Sequence, residues 1–206
     1  MSRSPREAGR IPDGWDHFDD FEKSWEFWTT IDSRSGHNLF DSLDLHDRTL
    51  TLSNGAGQPM NSEGYLQYFI VRNDSGFETK SFEISRGDRE EFSSGTFSTF
   101  ALAGKFAIAT EVSEAVRQAV APTLGSPTAR LDEMGLNQDW EPDPAYRTRY
   151  PERRFRQRAN ANNWFVGDER FPSTSHYLSM SYDEINRSLS VGIDPSLVPE
   201  LPRTII

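Results

Sequence analysis

Large aromatic rings recur at helical spacing near the start of the chain. Phe18, Phe21, Trp25 and Trp28 follow one another at steps of three, four and three residues, with charged side chains at most positions between them. This spacing places the rings on one face of an amphipathic helix, and Asp16 is in position to cap its first turn. Because large rings bury much area, we interpret the stripe as a core face rather than a ligand platform.

An alternation of apolar and polar positions comes next and predicts several short strands. Residues 48–53 form the first, and residues 65–73 have the strongest strand pattern in the chain. The turn sequence Asn73-Asp74-Ser75-Gly76 leads into a return strand over residues 77–85, so this pair is predicted to form a hairpin. Residues 92–102 add a further predicted strand. Consecutive short strands of this kind predict a mainly antiparallel sheet.

The periodicity becomes helical from Lys105. Apolar residues then recur at steps of three and four, which predicts a helix that ends before Pro122. The stretch over residues 122–150 contains four prolines and is predicted to be a long connection. A short helix is predicted within it over residues 128–135, because Gly135 suits a helix end.

The last third of the chain is predicted to contain two strands and a helix. Residues 163–167 and 176–181 have strand-like composition. Ser181 is followed at the third position by Glu184, and this pair is the signature of a capping box. The sequence therefore predicts a helix that begins directly after Ser181.

Together these elements predict a single α+β domain over residues 14–194, with a mainly antiparallel sheet and flanking helices. Aromatic residues make up 12% of the 206 residues, so a chain with only 35% apolar residues still has enough large rings for a core. Residues 1–13 are predicted to be a flexible N-terminal tail, and residues 195–206 a proline-containing C-terminal tail. An arginine-rich connection is predicted near residues 145–160.

The charge of the chain is concentrated in one place. The sequence RYPERRFRQR, residues 149–158, has five arginines in ten residues, whereas the chain as a whole has a formal charge of −10. Nucleic-acid binding depends on phosphate neutralisation, which the surrounding acidic surface opposes, so no nucleic-acid partner is predicted. The planar guanidinium suits paired hydrogen bonds to carboxylates. We therefore expect this arginine segment to pair with acidic groups of the same chain, or to contact a protein partner.

Catalytic and metal-binding patterns are scarce in the sequence. Cysteine is absent, so disulfides, thiolate nucleophiles and cysteine metal sites are excluded. The four histidines, at positions 17, 37, 46 and 176, show no metal-ligand spacing. Neither a G-x-S-x-G motif nor a phosphate-binding G-x-x-x-x-G-K loop is found. No catalytic residue, cofactor or metal is predicted. An enzyme whose site is assembled from distant residues, for instance His176, Asp168 and Arg170, remains an alternative.

The sequence has no pattern of membrane insertion. Its first residues lack the apolar core of a signal peptide, and no apolar run reaches the length of a membrane span. Together with the absence of cysteine, this predicts a soluble cytoplasmic protein with no membrane partner. The acidic balance suits a basic protein as partner.

The order of the segments resembles a known family. Tyr68-Phe69 through Arg72, the strand containing Trp164, and the segment from Ser179 to Leu189 follow one another as in the bacterial immunity proteins that neutralise tuberculosis-necrotizing-type toxins. Those toxins are NAD glycohydrolases exported by actinobacteria. The resemblance spans about residues 40–195, and it includes neither the acidic first helix nor the arginine segment.

The resemblance implies a function by binding. Members of this family bind their cognate toxin in the cytoplasm and cover its NAD cleft, so we expect a 1:1 complex and no turnover by this chain. Exposed loops are the expected contacts. We predict two of them: the turn Asn73, Asp74, Ser75, Gly76, and the segment after the Trp164 strand with Asp168, Glu169 and Arg170. A secretion chaperone, or another protein-interaction module, is the alternative without catalysis.

Overall fold

One antiparallel sheet of eight strands forms the base of the protein. The computed structural model describes residues 11–53, 66–85, 88–146, 152–168 and 172–201. The strand order across the sheet is β1-β2-β3-β4-β5-β8-β7-β6. The bounds are β1 Ser42–His46, β2 Thr49–Ser53, β3 Leu66–Asn73, β4 Gly76–Ser85, β5 Asp88–Phe97, β6 Trp140–Pro142, β7 Glu152–Gln157 and β8 Trp164–Asp168. The prediction of a single α+β domain with an antiparallel sheet is confirmed.

The predicted hairpin is present with the predicted turn. Asn73 pairs with Gly76, and the ladder continues to Ile70 opposite Thr79. The strand predicted over residues 92–102 has other bounds, because β5 ends at Phe97 and a helix begins at Phe100. The Thr99 hydroxyl accepts a hydrogen bond from the backbone N–H of Leu102 at 3.4 Å, so this residue caps the helix and ends the extended backbone. Residues 54–65, which join β2 to β3, lie outside the described residues.

The prediction of an arginine-rich connection near residues 145–160 is wrong for its second half. Glu152–Gln157 is strand β7, which pairs with β6 on one side and with β8 on the other. β8 in turn joins β5 through Thr96 and Phe97. The chain thus crosses from β5 to the far edge of the sheet and returns by a three-stranded meander. The short strand β6 lies within residues 122–150, which were predicted to be a connection because of their four prolines.

Helices cover one face of this sheet. They are α1 Phe18–Arg34, α2 Phe100–Phe106, α3 Ser113–Val120, α4 Pro127–Glu133, α5 Ser173–Ser179 and α6 Tyr182–Leu189. A π-helical segment, Ala107–Val112, joins α2 to α3 without a break. The predicted helix from Lys105 therefore begins five residues earlier than the apolar period indicated. Helix α4 confirms the short helix that was predicted within the connection.

The aromatic stripe of α1 is a core face, as predicted. Phe18, Phe21 and Trp28 are at most 2% exposed, and Trp25 packs against the same core. The predicted cap is wrong: the N-cap residue is His17, which has a left-handed backbone and makes no capping side-chain hydrogen bond. The rings are held by tertiary contacts, for example Phe21 against Phe100 at a centroid distance of 5.5 Å, and these contacts determine where the helix begins.

Residues 176–181 are not a strand. Most of this range belongs to α5, in which Tyr177 and Leu178 are buried. A short apolar run of this length fits a buried helix as well as a strand, and packing against α2 decides for the helix. The capping box is confirmed: the Ser181 hydroxyl accepts from the Glu184 N–H, and the Glu184 carboxylate accepts from the Ser181 N–H.

The two predicted tails contact the domain. Arg72, at the end of β3, donates a hydrogen bond to the backbone oxygen of Asp13. On the C-terminal side, Leu197, Val198 and Leu201 pack against the core. The described parts of both predicted tails, residues 11–13 and 195–201, therefore lie against the domain.

The π-helical segment holds a carboxyl group against the sheet. Glu111 accepts hydrogen bonds from the side chains of Tyr68 on β3 and Ser94 on β5. These bonds favour the ionised form, but burial disfavours it more strongly, and the net effect is a raised pKa of the Glu111 carboxyl. An acid with a raised pKa in the folded state stabilises the fold most below its unfolded pKa, and that stability is lost as the pH rises through the folded value.

We therefore expect Glu111→Gln to raise the melting temperature at pH 7. Glutamine keeps an acceptor for Tyr68 and Ser94 but has no charge to desolvate. The difference from the wild type should shrink as the pH falls to 4, where the carboxyl is mostly protonated in both states. Thermal unfolding at both pH values measures this. An equal shift at pH 4 and pH 7 would show that shape, and not ionisation, causes the effect.

Candidate protein-contact site

The sheet face opposite the helices has an arginine on β7 whose side chain is held by hydrogen bonds. Strand alternation places Arg154 and Arg156 on this outer face, while Phe155 between them is buried in the core. The Arg154 Nε and Nη2 groups both reach Oδ2 of Asp143, at 2.7 and 2.6 Å. Two bonds to one carboxylate oxygen fix the plane of the guanidinium.

Asp143 is itself held in place. Its Oδ1 accepts a hydrogen bond from the backbone N–H of Ala145 at 2.9 Å, which closes an Asx turn. This backbone bond, followed by the hydrogen bonds from Arg154, lowers the pKa of the Asp143 carboxyl below its usual range. The Asp143 carboxylate therefore stays ionised at neutral pH and keeps its hydrogen bonds with Arg154.

Two aromatic rings flank the Arg154 guanidinium. Its central carbon lies 4.6 Å from the ring centroid of Tyr146 and 5.5 Å from that of Trp164 on β8. Both distances are within the range of cation–π attraction. We name Arg154, Asp143, Tyr146 and Trp164 the Arg154 cluster. Tyr146 is 36% exposed, so the cluster reaches the surface of the sheet.

The next arginines of the segment are also paired within the chain. Glu141 on β6 accepts from Arg156 Nε through Oε1 and from Arg158 Nη1 through Oε2, each at 2.8 Å. Arg158 also donates from Nε to the backbone oxygen of Gln138 at 3.0 Å. The prediction of internal pairing is thus confirmed for Arg154, Arg156 and Arg158. These pairs join β7 to β6 and to the turn that follows β6.

Of the predicted contact residues, Asp168 lies close to this cluster. Asp168 is at the end of β8 and pairs with Glu152. It follows Val166, the residue that pairs with Arg154, by two positions, so strand alternation places Asp168 on the same outer face as Val166. Glu169 and Arg170 lie outside the described residues.

The predicted turn is at the other end of the strands. Asn73 Oδ1 accepts from the N–H and the hydroxyl of Ser75, both at 2.9 Å, and Asp74 pairs with Arg48 at 3.2 Å. A side chain on Gly76 would collide with the backbone oxygen of Phe97, which confines this position to glycine. Phe97 pairs with Phe165, near the start of β8, whereas Asp168 ends that strand. The structure therefore does not bring the turn and Asp168 into one site.

Of the residues of the enzyme alternative, His176 has structural partners, and Arg170 lies outside the described residues. His176 is 7% exposed, its Nε2 lies 2.8 Å from the backbone oxygen of Gly135, and its Nδ1 lies 3.4 Å from the side-chain nitrogen of Asn137. The ring thus connects α5 to the turn after α4. Among the described residues, no group of three or more histidine, aspartate or glutamate side chains is placed to hold a metal ion.

Sequence reasoning missed Asp143 and Tyr146. Both lie in the stretch that was predicted to be a connection. The one local signal was Asp143 followed by Pro144, a combination typical of turns. Arg154 lies on a strand eleven residues after Asp143, and the two residues meet because β6 pairs with β7.

The eight-stranded antiparallel sheet with helices on one face defines the class of fold. No family profile and no curated protein sequence matches this chain. Among solved structures, Rv3902c from M. tuberculosis is similar, with a TM-score of 0.55 and 15% sequence identity over 87% of this chain and 92% of that one. This similarity extends over nearly the whole of both chains and concerns the fold. In the described part of the chain, no helix has the length and apolar character that crossing a membrane requires.

Proposed function

We propose that this chain is an immunity protein that binds a secreted NAD glycohydrolase toxin in the cytoplasm and covers its active-site cleft. The proposal is supported by the resemblance of Tyr68–Arg72 and Ser179–Leu189 to the immunity proteins of such toxins. The observation that carries it is the Arg154 cluster, a surface arginine that is already fixed in geometry.

Fixed side chains favour tight binding because ordering a flexible side chain at an interface costs about 0.5–1.5 kcal/mol. Arginine, tyrosine and tryptophan are the residue types that most often dominate interface energies. In the Arg154 cluster all three are in contact, and Asp143 holds the arginine before any partner arrives. Glu141 and Asp143 offset most of the positive charge of Arg154, Arg156 and Arg158, which suits a protein surface better than a polyanion.

The outer face offers room around this centre. Val166 on β8 pairs with Thr96 on β5, and Thr96 pairs with Glu78 on β4. The three side chains are neighbours across the strands, and all three are partly exposed. A standard interface buries roughly 800 Å² on each partner. We place the Arg154 cluster at the centre of such an interface, with Asp168 at its edge.

The proposal is tested by co-expression with any secreted toxin domain that is encoded beside this gene, followed by pull-down and an assay of NAD consumption. We expect the purified protein alone to consume no NAD. Added to the toxin, it should stop NAD loss at about one equivalent, because an occluding partner acts stoichiometrically. A protein that fails to bind the toxin contradicts the proposal, and binding without loss of toxin activity points to a secretion chaperone instead.

A further inference from the structure

A cleft of about 670 Å³ lies between the helices α1, α2 and α6 and residues 199–201. This volume is in the range of small-molecule and peptide sites. The cleft is lined by no residue of the Arg154 cluster, so it is a separate feature of the molecule.

One wall presents an amide whose orientation is fixed. Asn186 is 3% exposed, and its Oδ1 accepts hydrogen bonds from Trp28 Nε1 at 2.9 Å and from Ser24 Oγ at 2.7 Å. The indole N–H is only a donor, so the atom that it contacts must be the amide oxygen. Both bonds made to this side chain by described residues end on that oxygen, which leaves the Nδ2 hydrogens for the cleft.

A second wall presents an ammonium group. Lys105 on α2 is partly buried and donates from Nζ to the backbone oxygen of Leu178 at 3.2 Å. Within the described residues, no carboxylate lies within 4.0 Å of this nitrogen. Glu184 is near enough to favour the charged form, but its Oε2 accepts hydrogen bonds from Ser181. Partly buried charges are normally paired with an opposite charge, so Lys105 has capacity for an anionic group.

The cleft as a whole has more acidic than basic side chains. Four carboxylates line it against two ammonium groups; the six residues are Asp20, Glu26, Asp183, Glu200, Lys23 and Lys105. Asp20 is already near Lys23 at 3.9 Å. A ligand that is only anionic would meet this acidic rim with repulsion, and a ligand that is only cationic would leave Lys105 unpaired. Phe27, Ala101 and Leu201 add apolar surface between the charged groups.

We propose that this cleft binds a small zwitterionic peptide, with its carboxylate on Lys105 and the Asn186 amide, an apolar side chain against Phe27 and Leu201, and a basic group on the acidic rim. The site does not depend on the proposed function, because its test needs no toxin.

Isothermal titration with the dipeptide lysyl-phenylalanine tests the proposal, with its C-terminal amide and glutamyl-phenylalanine as matched probes. The first probe lacks the carboxylate and the second lacks the basic side chain. We expect lysyl-phenylalanine to bind at millimolar concentration or below, and each matched probe to bind at least about tenfold more weakly. Equal binding of all three dipeptides, or no heat from lysyl-phenylalanine at millimolar concentration, would overturn the proposal.

Two variants locate the carboxylate. Lys105→Met keeps the length of the side chain without its charge, and Lys80→Met, on the outer face of β4, is the matched control. Asn186→Asp keeps an acceptor for Trp28 and Ser24 but turns a negative oxygen toward the cleft. We expect about a tenfold or larger loss of affinity for lysyl-phenylalanine in Lys105→Met and Asn186→Asp, and none in Lys80→Met. Circular dichroism confirms that each variant is folded, and unchanged affinity in both folded cleft variants would refute this placement.

Discussion

Under the proposed function, replacing Arg154 with alanine should raise the concentration of this protein that half-inhibits the NAD glycohydrolase toxin by about 30-fold or more. Such a factor corresponds to the roughly 2 kcal/mol that defines an interface hot spot. The change removes the guanidinium and also leaves Tyr146 and Trp164 without the group between them. The measurement is inhibition of NAD consumption across a titration of each variant, together with the dissociation rate of the complex.

Arg153→Ala is the matched control for this prediction. It makes the same substitution at the neighbouring position of β7, where strand alternation turns the side chain away from the outer face. Arg154→Lys is the complementary variant, because lysine keeps the charge but not the planar fork. We expect Arg154→Lys to resemble Arg154→Ala and Arg153→Ala to resemble the wild type.

The same assay distinguishes an incorrect surface from an incorrect function. If Arg154→Ala inhibits like the wild type while the complex still forms, the interface lies elsewhere on the protein. Asp168→Lys then tests whether Asp168, a contact residue predicted from the sequence, belongs to the interface. If the wild-type protein does not bind the toxin, the immunity function itself is contradicted. Melting temperatures of all variants should agree within a few degrees, because partly exposed ion pairs contribute little to folding.

Trp140→Ala should lower the free energy of unfolding by about 3–5 kcal/mol. Trp140 is 1% exposed on edge strand β6, packs on Phe165 at a centroid distance of 5.0 Å and donates from Nε1 to Ser179 Oγ at 3.0 Å. Its removal leaves a cavity where the meander meets α5. Since whole domains are stable by about 5–15 kcal/mol, chemical denaturation will resolve the change.

A pair of tryptophan-to-phenylalanine variants separates the hydrogen bond from the packing. Trp140→Phe removes a bond to Ser179, whereas Trp25→Phe removes an indole N–H that is buried without a hydrogen-bond partner. We expect Trp140→Phe to destabilise the fold and Trp25→Phe to be close to neutral, because an unpaired buried donor contributes nothing that phenylalanine lacks. Equal losses in the two variants would show that ring size alone matters.

The sequence by itself determined the elements whose cause is local. The ring spacing of α1, the hairpin turn from Asn73 to Gly76 and the capping box of Ser181 with Glu184 each depend on residues a few positions apart. Helical period, turn chemistry and capping all act over such distances, so they can be predicted from one chain. The consecutive strands β2, β3 and β4 belong to this group, because neighbours in sequence pair in the sheet, whereas β1 was not predicted and β5 has other bounds than predicted.

The tertiary structure decided what depends on distant partners. Strand β6 is three residues long and includes a proline, and it exists because β7 pairs with it. Helix α5 was predicted as a strand, because its apolar run fits both structures until α2 packs on it. Arg154 contacts partners that are 8, 10 and 11 positions away, and Asn186 in the cleft contacts Ser24, which is 162 positions away. Since such contacts form only when elements far apart in the chain come together, no local spacing encodes them.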